Sequence, residues 1–301
     1  MNHSEKRRYA LKKIALGAAA VSSGSVSYAS SSKSKKSANN QSTQAMLKGN
    51  INHSVCRWCY GKIPLESFAR DVKAMGLKSI ELLQPNEWAV AKAHDLTCAI
   101  AVDFEFVKIE DGFNDPANHQ HLQKNYQQLI PQASEQGFPT VICFSGNRRG
   151  MSEEKGLDAC AKGIDPLAKL AEKHEITLII ELLNSKVNHI DYQCDHTPWG
   201  VKLVEKVNSP NFKLLYDIYH MQIMEGDIIA TIREYHQYIA HYHTGGVPGR
   251  NEINETQELN YPAIMRAILE TGYTGYVAQE FIPTWDDKLA ALKQGVEICD
   301  V

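Results

Sequence analysis

The chain has 301 residues, of which 43% are hydrophobic, and it carries a formal net charge of −3. This composition is sufficient for one large core, and the sequence has no apolar run of the roughly 18 residues that a bilayer-spanning helix needs. Residues 1–50 carry eight net positive charges, so residues 51–301 carry a net charge of −11. Such an acidic body disfavours nucleic-acid binding, which needs a basic surface, and is compatible with a small ligand held through a cation.

Residues 1–29 have the features of an export signal. Arg7-Arg8 precede a mildly apolar stretch, and Ser27-Tyr28-Ala29 matches a small-x-small cleavage pattern. The paired arginines resemble a twin-arginine signal, so we expect a periplasmic protein with no membrane anchor after cleavage. If the signal is not functional, this segment is a basic disordered tail and the protein remains cytoplasmic. Residues 30–50 are rich in Ser, Lys, Asn and Gln, which predicts a disordered linker.

From residue 51 onward, short apolar runs alternate with longer segments of helical periodicity. The predicted strands are Ile51–Cys56, Ser79–Leu83, Cys98–Val102, Thr140–Ser145, Thr177–Leu182, Lys213–Asp217, Tyr238–His243 and Tyr276–Phe281. The predicted helices are Leu65–Met75, Glu87–His94, Asn118–Gln136, Glu153–His174, Trp199–Val207, Ile228–Glu234, Pro262–Glu270 and Trp285–Ile298. Several strands are continuous apolar runs, which is typical of strands buried on both faces of a parallel sheet.

Eight strand–helix units in about 250 residues is the usual size of a closed barrel. We therefore predict that residues 51–301 form one α/β domain, a (β/α)8 or TIM barrel. A doubly wound open sheet is the alternative, but it normally has a glycine-rich turn after its first strand, and Cys56-Arg57-Trp58-Cys59 is not one. For this C-x-x-C pair we expect ordinary packed or loop cysteines rather than a zinc or redox site.

Four side chains that can bind a metal ion stand near the ends of four consecutive predicted strands: Glu181, Asp217, His243 and Glu280. They are separated by 36, 26 and 37 residues, each close to one βα unit of about 30 residues. Because parallel strands of a barrel end at one face, about 4.8 Å apart, four inward-facing groups there can converge on one ion. Any one of them alone is better explained as a surface carboxylate or a salt-bridge partner. Because all four lie near the ends of consecutive predicted strands, the set predicts one shared metal site.

Three carboxylates and one imidazole suit a hard divalent cation, so we expect one Mn²⁺ or Mg²⁺ ion, with Co²⁺ or Zn²⁺ as alternatives. A structural zinc ion would prefer thiolate ligands. The glycine-bounded segment 146–150 could bind an anion but lacks phosphate-loop spacing, and we expect no organic cofactor.

Several segments of the second half of the chain carry a family resemblance. These are Tyr216-Asp217-Ile218-Tyr219-His220-Met221, His241-Tyr242-His243, Pro248-Gly249-Arg250-Asn251-Glu252 and Gln279-Glu280-Phe281-Ile282-Pro283. They resemble hydroxypyruvate isomerases, a group of the xylose-isomerase-like barrels to which the ketose 3-epimerases are closely related. The resemblance extends over about residues 51–301 and is strongest from Glu181 onward. It implies that Glu181, Asp217, His243 and Glu280 are metal ligands and that Glu181 and Glu280 are the catalytic acid/base pair.

The same resemblance implies that His220 and Arg250 contact the substrate. We also predict that Trp58, Glu81 and Asn184 bind substrate, because each follows or ends a strand on the face where barrel active sites form. Two positions depart from the family pattern. His243 stands where many hydroxypyruvate isomerases have Gln and is closer to the epimerases. The segment Ser185-Lys186-Val187 lacks an expected Arg and carboxylate.

The implied reaction moves a proton between carbons next to a carbonyl through an enediolate, with one carboxylate removing the proton and the other returning it. We therefore predict a metal-dependent isomerase of a small hydroxy-ketoacid or keto-sugar, with no nucleic-acid partner. A ketose 3-epimerase and an inosose-type dehydratase are alternatives on the same scaffold. The non-enzyme alternative is a periplasmic sugar-binding protein. The sequence leaves open whether the chain forms a homo-oligomer.

Overall fold

A computed structural model of the protein describes residues 47–301. Its strands are β1 Asn52–Cys56, β2 Ser79–Glu81, β3 Ile100–Ala101, β4 Thr140–Cys143, β5 Thr177–Glu181, β6 Phe212–Asp217, β7 Ile239–Thr244 and β8 Tyr276–Gln279. Its α-helices are α1 Leu65–Ala74, α2 Trp88–Ala93, α3 His119–Glu135, α4 Glu153–Lys173, α5 Thr197–Val207, α6 Ile218–Met224, α7 Ile228–Tyr235, α8 Tyr261–Glu270 and α9 Lys288–Cys299. Within this part of the chain, no helix combines the length and apolar character needed to cross a membrane.

The strands form one parallel sheet in the order β2-β1-β8-β7-β6-β5-β4-β3. The two outer strands of that order meet through a parallel bridge between Leu83 and Ala101. A backbone hydrogen bond from Leu82 N to Ile100 O, at 2.9 Å, reinforces this bridge. The sheet therefore closes on itself, which confirms the predicted (β/α)8 barrel and rules out the open doubly wound sheet.

The core lies inside the barrel and between the strands and the surrounding helices. In β5, the consecutive residues Leu178, Ile179 and Ile180 are all 0% exposed, so both faces of the strand are buried. This explains their continuous apolar sequence, because alternate side chains point into the barrel and toward the helices. Polar side chains consequently collect where the strands end, and this positions the site described below.

Most element boundaries agree with the prediction within a few residues, but two features differ. The short helix α6 was not predicted; it begins directly after β6, where Asp217 accepts a hydrogen bond from His220 N at 2.9 Å and caps it. The predicted strand Ser79–Leu83 ends early at Glu81, because Leu82 adopts a left-handed backbone conformation with φ of 56°.

The predicted signal at 1–29 and the linker up to residue 46 lie outside the described residues. The last four residues assigned to the linker belong to the fold. Leu47 packs against the core, Lys48 N donates to Asp300 Oδ2 at 2.8 Å, and Asn50 Nδ2 donates to Val301 O at 2.8 Å. The linker prediction is therefore wrong for residues 47–50, which the sequence composition did not distinguish from the polar stretch before them.

All seven cysteines are free thiols, and six of them are buried. Cys56 ends β1 and Cys59 lies in the following 3-10 turn, Arg57–Tyr60, without a disulfide between them. Burial raises the pKa of both thiols well above the usual value. This agrees with packed cysteines rather than reactive ones.

The loop between β3 and α3 crosses the end of β4 where there is no room for a side chain. A Cβ atom at Gly112 would lie 2.3 Å from Gly146 N and 2.3 Å from Phe144 O. We expect Gly112→Ala to lower the free energy of unfolding by about 3 kcal/mol, because backbone atoms would have to move. Urea unfolding followed by circular dichroism measures this change.

Gly61→Ala is the matched control, since its Cβ would meet only Trp58 O at 3.5 Å, an ordinary contact. We expect it to change the free energy of unfolding by no more than about 0.5 kcal/mol. Equal losses in the two variants would contradict the close approach at Gly112.

Candidate active site

The four predicted ligand residues lie together at the carboxyl end of the barrel. Glu181 ends β5, Asp217 ends β6, His243 lies near the end of β7, and Glu280 directly follows β8. One ligand atom from each side chain lies within 4.8 Å of the others, and all four residues are buried. The structure thus brings together the four side chains whose spacing indicated a common site.

His243 lies at the centre of this cluster. Its Nδ1 is 2.8 Å from Glu280 Oε2, 3.5 Å from Glu181 Oε1 and 3.9 Å from Asp217 Oδ2. The opposite ring nitrogen, Nε2, points away from these three carboxylates and lies 2.7 Å from Glu81 Oε1. One edge of the imidazole therefore faces the site, and the other faces the barrel interior.

The three carboxylates of the cluster respond differently to their surroundings. Burial raises the pKa of Asp217 well above its usual value, and the charge of Glu280 adds to this effect while Arg250 opposes it. Burial also raises the pKa of Glu181. Burial would raise the pKa of Glu280 too, but the charges of Arg250 and His243 outweigh it and hold that pKa well below its usual value. Acidic groups crowded in this way favour a nearby cation.

Arg250 and Trp58 contact Glu280 from the mouth of the barrel. Arg250 Nη2 donates to Glu280 Oε2 at 2.6 Å, and Trp58 Nε1 donates to Glu280 Oε1 at 2.7 Å. The guanidinium carbon lies 5.1 Å from the ring centroid of Trp58 and 5.4 Å from that of Tyr219. The two aromatic rings hold the arginine in place by cation–π contacts. Both Arg250 and Trp58 line the cavity above the cluster, where we predicted substrate contacts.

His220 also faces the carboxylates. Its Nδ1 accepts a hydrogen bond from Asn184 N at 3.1 Å, which assigns the ring proton to Nε2. This Nε2 is 3.7 Å from Asp217 Oδ2 and has no hydrogen-bond partner among residues 47–301. Burial and the charge of Arg250 lower the pKa of His220 well below its usual value. The result is a neutral buried N–H group with a free hydrogen bond to donate.

Three residues predicted to bind substrate, His220, Glu81 and Asn184, are fully buried and do not line the cavity. Glu81 is 0% exposed and lies behind His243, with Oε1 3.0 Å from His241 Nε2 and 2.7 Å from His243 Nε2. Asn184 is 0% exposed and lies behind His220, and its Oδ1 accepts hydrogen bonds from the backbone of the following turn. Glu81 and Asn184 thus contact side chains that face the carboxylate cluster, and neither reaches the cavity.

A cavity of about 250 Å³ opens above the cluster. Glu181, Glu280 and Arg250 provide charged groups at its surface, and the other lining residues are Trp58, Leu82, Phe104, Ile109, Phe144, Leu183 and His189. Walls of this kind exclude water and strengthen electrostatic interactions inside. A charged base under apolar walls is the usual arrangement of a small-molecule site.

His189 is a cavity residue that sequence reasoning missed. Its ring centroid lies 5.3 Å from that of His220, and burial together with the charge of Arg250 lowers its pKa. It follows the segment Ser185-Lys186-Val187 that departs from the family pattern. A histidine in the loop after β5 was the available signal, but loops carry no periodicity that shows which side chains face a cavity.

Residues 69–299 match the family described as xylose isomerase-like TIM barrel. The chain belongs to this family. Among xylose isomerase-like relatives, the hydroxypyruvate isomerase of Escherichia coli (strain K12) is 30% identical over 172 residues, which cover 56% of this chain and 65% of that protein. The chain therefore spans just under two thirds of the length of this curated relative.

Solved structures show the same barrel. A family 2 AP endonuclease from Brucella melitensis superposes with a TM-score of 0.72 at 24% identity, covering 80% of this chain and 97% of that one. A D-psicose 3-epimerase from Clostridium cellulolyticum H10, solved with D-tagatose, has a TM-score of 0.66 at 19% identity, covering 83% of this chain and 100% of that one. At these identities the likeness shows the fold alone.

The loop after β5, which carries Asn184 and His189, is held by a buried ion pair. Arg148 Nη2 donates to Asp195 Oδ1 at 2.6 Å, and Ser185 Oγ donates to the other oxygen of the same carboxylate. The Asp195 side chain is 5% exposed. The pair therefore ties the start of this loop to its end and to the loop after β4.

We expect Asp195→Ala to lower the free energy of unfolding near pH 7 by about 3 kcal/mol, because it leaves Arg148 partly buried without its partner. Burial would raise the pKa of Asp195, but hydrogen bonds from Arg148 and Ser185 outweigh it and lower that pKa. The stabilisation is therefore present above the unfolded-state pKa of about 3.9 and is lost as the pH falls below it. Urea unfolding as a function of pH measures both effects.

Asp111→Ala is the matched control, because it removes an ion pair of equal length, 2.6 Å to Arg149, whose side chains are 51% and 45% exposed. Exposed pairs contribute about 1 kcal/mol or less. If the two aspartate variants lost equal stability, the loop would not depend on the buried pair.

Proposed function

We propose that the protein is a metal-dependent isomerase that moves a proton between neighbouring carbons of a small hydroxy-ketoacid or keto-sugar. The observation that carries this proposal is the convergence of three carboxylates and one imidazole at a buried cavity. The 30% identity to a hydroxypyruvate isomerase supports the class of reaction. The polar groups at the cavity are those that such a proton transfer needs.

Glu181, Asp217, His243 and Glu280 would hold one divalent ion, Mn²⁺ or Mg²⁺, with Co²⁺ or Zn²⁺ as alternatives. The donor set of three carboxylates and one imidazole suits such an ion. Glu181 Oε1 is buried without a hydrogen-bond partner among the described residues, so it has an oxygen available as a ligand. When bound, the ion would polarise the substrate carbonyl and make the neighbouring C–H group more acidic.

Glu181 and Glu280 both line the cavity, which supports a role for each in exchanging a proton with a bound substrate. In our proposal one carboxylate removes the proton next to the carbonyl, the other delivers a proton to the neighbouring carbon, and the hydroxyl proton passes to the former carbonyl oxygen. Proton exchange with solvent then restores both carboxylates. His220 donates its free Nε2–H to a substrate oxygen. Arg250 also donates to the substrate, from an N–H group that is not hydrogen-bonded to Glu280. The apolar walls keep water away from the enediolate.

A ketose 3-epimerase is the second candidate, because the same pair of carboxylates could return the proton to the carbon from which it came. The histidine at position 243 favours this candidate, since the resemblance places His there in the epimerases. We favour the isomerase because the sequence likeness is to a hydroxypyruvate isomerase. An inosose-type dehydratase and a sugar-binding protein remain distinguishable by the experiment that follows.

We expect Glu181→Gln to lower kcat at least about 100-fold, because an amide cannot accept the proton. The parental protein is incubated with hydroxypyruvate and a panel of ketoses in deuterated water, and products are followed by NMR. An isomerase incorporates deuterium at a reacting carbon without loss of water, an epimerase inverts one centre, and a dehydratase releases water. Glu297→Gln, on the exposed face of α9, is the control and should retain the parental rate.

Two outcomes would contradict the isomerase proposal. The first is a Glu181→Gln variant that turns over substrate at the parental rate. The second is a parental protein that binds a sugar but converts none of the panel with Mn²⁺ or Mg²⁺ present, as a sugar-binding protein would.

We also propose that residues 1–29 direct export by the twin-arginine route. That route carries folded proteins, so the barrel would acquire its ion in the cytoplasm before export. Cell fractionation with mass spectrometry of the amino terminus tests this, and we expect protein that begins after Ala29 in the periplasm. Uncleaved protein found only in the cytoplasm would contradict it.

A further inference from the structure

Glu81 occupies a position that the proposed reaction leaves unexplained. It ends β2, is 0% exposed, and lies on the side of His243 that faces away from the cavity. Its Oε1 is 2.7 Å from His243 Nε2 and 3.0 Å from His241 Nε2. A buried carboxylate needs compensating partners, and here both partners are imidazoles.

The contact has a consequence for the protonation of His243. An ionised carboxylate is only an acceptor, so a hydrogen bond at this distance requires a proton on His243 Nε2. The 2.8 Å contact with Glu280 Oε2 places a proton on the opposite ring nitrogen in the same way, so an ion would bind in place of the proton on Nδ1. That atom is the one directed at Glu280, Glu181 and Asp217.

The surroundings prevent Glu81 from turning away. The ring of His241 is nearly perpendicular to that of His243, at 88° and 5.2 Å between centroids, and it gives Glu81 Oε1 a second contact. On another side, Cys56 Sγ lies 3.7 Å from Glu81 Oε1 and 3.8 Å from His243 Nε2. The carboxylate, the two imidazoles and the thiol are all buried, so the arrangement is fixed by packing.

We propose that Glu81, held by His241, is a positioning residue that accepts a hydrogen bond from His243 Nε2 and so keeps Nδ1 directed into the carboxylate cluster. The inference rests on the proposed function, because it assigns Nδ1 of His243 as the atom that would bind the ion. Glu81 itself touches neither substrate nor ion. Carboxylates that orient a metal-binding histidine in this manner typically change metal affinity 10- to 100-fold when they are removed.

The experiment compares two substitutions of Glu81 in the full chain. Glu81→Ala removes the acceptor, while Glu81→Gln keeps the shape of the side chain and one acceptor oxygen. Glu66→Ala is the matched control, because Glu66 Oε1 also lies 2.7 Å from a histidine, His94 Nε2, but the Glu66 side chain is 71% exposed. Mn²⁺ affinity is measured by the EPR signal of the free ion, and folding is checked by circular dichroism.

We expect the Kd for Mn²⁺ to rise about 10- to 100-fold in Glu81→Ala, less in Glu81→Gln, and by less than about twofold in Glu66→Ala. Folded Glu81 variants that bind Mn²⁺ as tightly as the parental protein would overturn the proposal. If Glu81→Ala does not fold, the comparison is made with Glu81→Gln, whose volume is nearly unchanged.

A second measurement separates this proposal from the proposed function. NMR of metal-free protein with ¹⁵N-labelled histidine reports which ring nitrogen of His243 carries a proton. A proton on Nε2 of the parental protein that is lost or redistributed in the Glu81 variants supports the positioning role. An unprotonated Nε2 in the parental protein, or identical spectra in parent and variants, overturns it. A parental protein that binds no Mn²⁺ contradicts the metal-dependent isomerase, and these spectra still decide the role of Glu81.

Discussion

The site depends on the electrostatic repulsion among three acidic side chains that the barrel brings close together. Glu181, Asp217 and Glu280 end or follow three strands of one closed sheet, so strand pairing fixes the distances between their backbones. Like charges at this distance in a buried place are unfavourable unless positive charge is nearby. Arg250 and His243 supply part of this positive charge, and of the three carboxylates both lie closest to that of Glu280. Glu181 and Asp217 keep raised pKa values, and a bound cation would stabilise their ionised forms. In this way the fold favours the metal ion that the proposed chemistry uses.

Side chains behind this cluster limit how it can rearrange. Asn184 holds the ring of His220, Glu81 holds the ring of His243, and two aromatic rings hold Arg250. Each support is buried or packed, so the groups that face the cavity have few alternative rotamers. Catalytic arrangements that must be accurate to a fraction of an ångström generally need such support. The cluster is therefore better described as two layers of side chains than as four isolated residues.

Much of this arrangement could be predicted from the sequence, because barrel geometry converts spacing along the chain into proximity. Glu181, Asp217, His243 and Glu280 recur at intervals of one βα unit, and parallel strands place such residues at one face. The supporting role of Glu81 could not be predicted in this way, since a residue at a strand end faces the cavity or the interior according to register. Asn184 lies in the loop after β5, where the strand pattern does not apply. Helix α6 was missed because it has only seven residues and depends on a cap from Asp217. His189 was missed because its position depends on the path of a loop.

The pairing of residues 48 and 50 with residues 300 and 301 joins the start and the end of the described chain beside the amino end of β1. That end of the barrel is opposite the cavity, which opens at the carboxyl ends of the strands. An affinity tag, a surface anchor or a fused domain attached after Val301 would therefore leave the entrance unobstructed. The same proximity makes residues 47–301 a suitable scaffold for circular permutation, since a short peptide could connect Leu47 to Val301 while new ends are opened in an exposed loop.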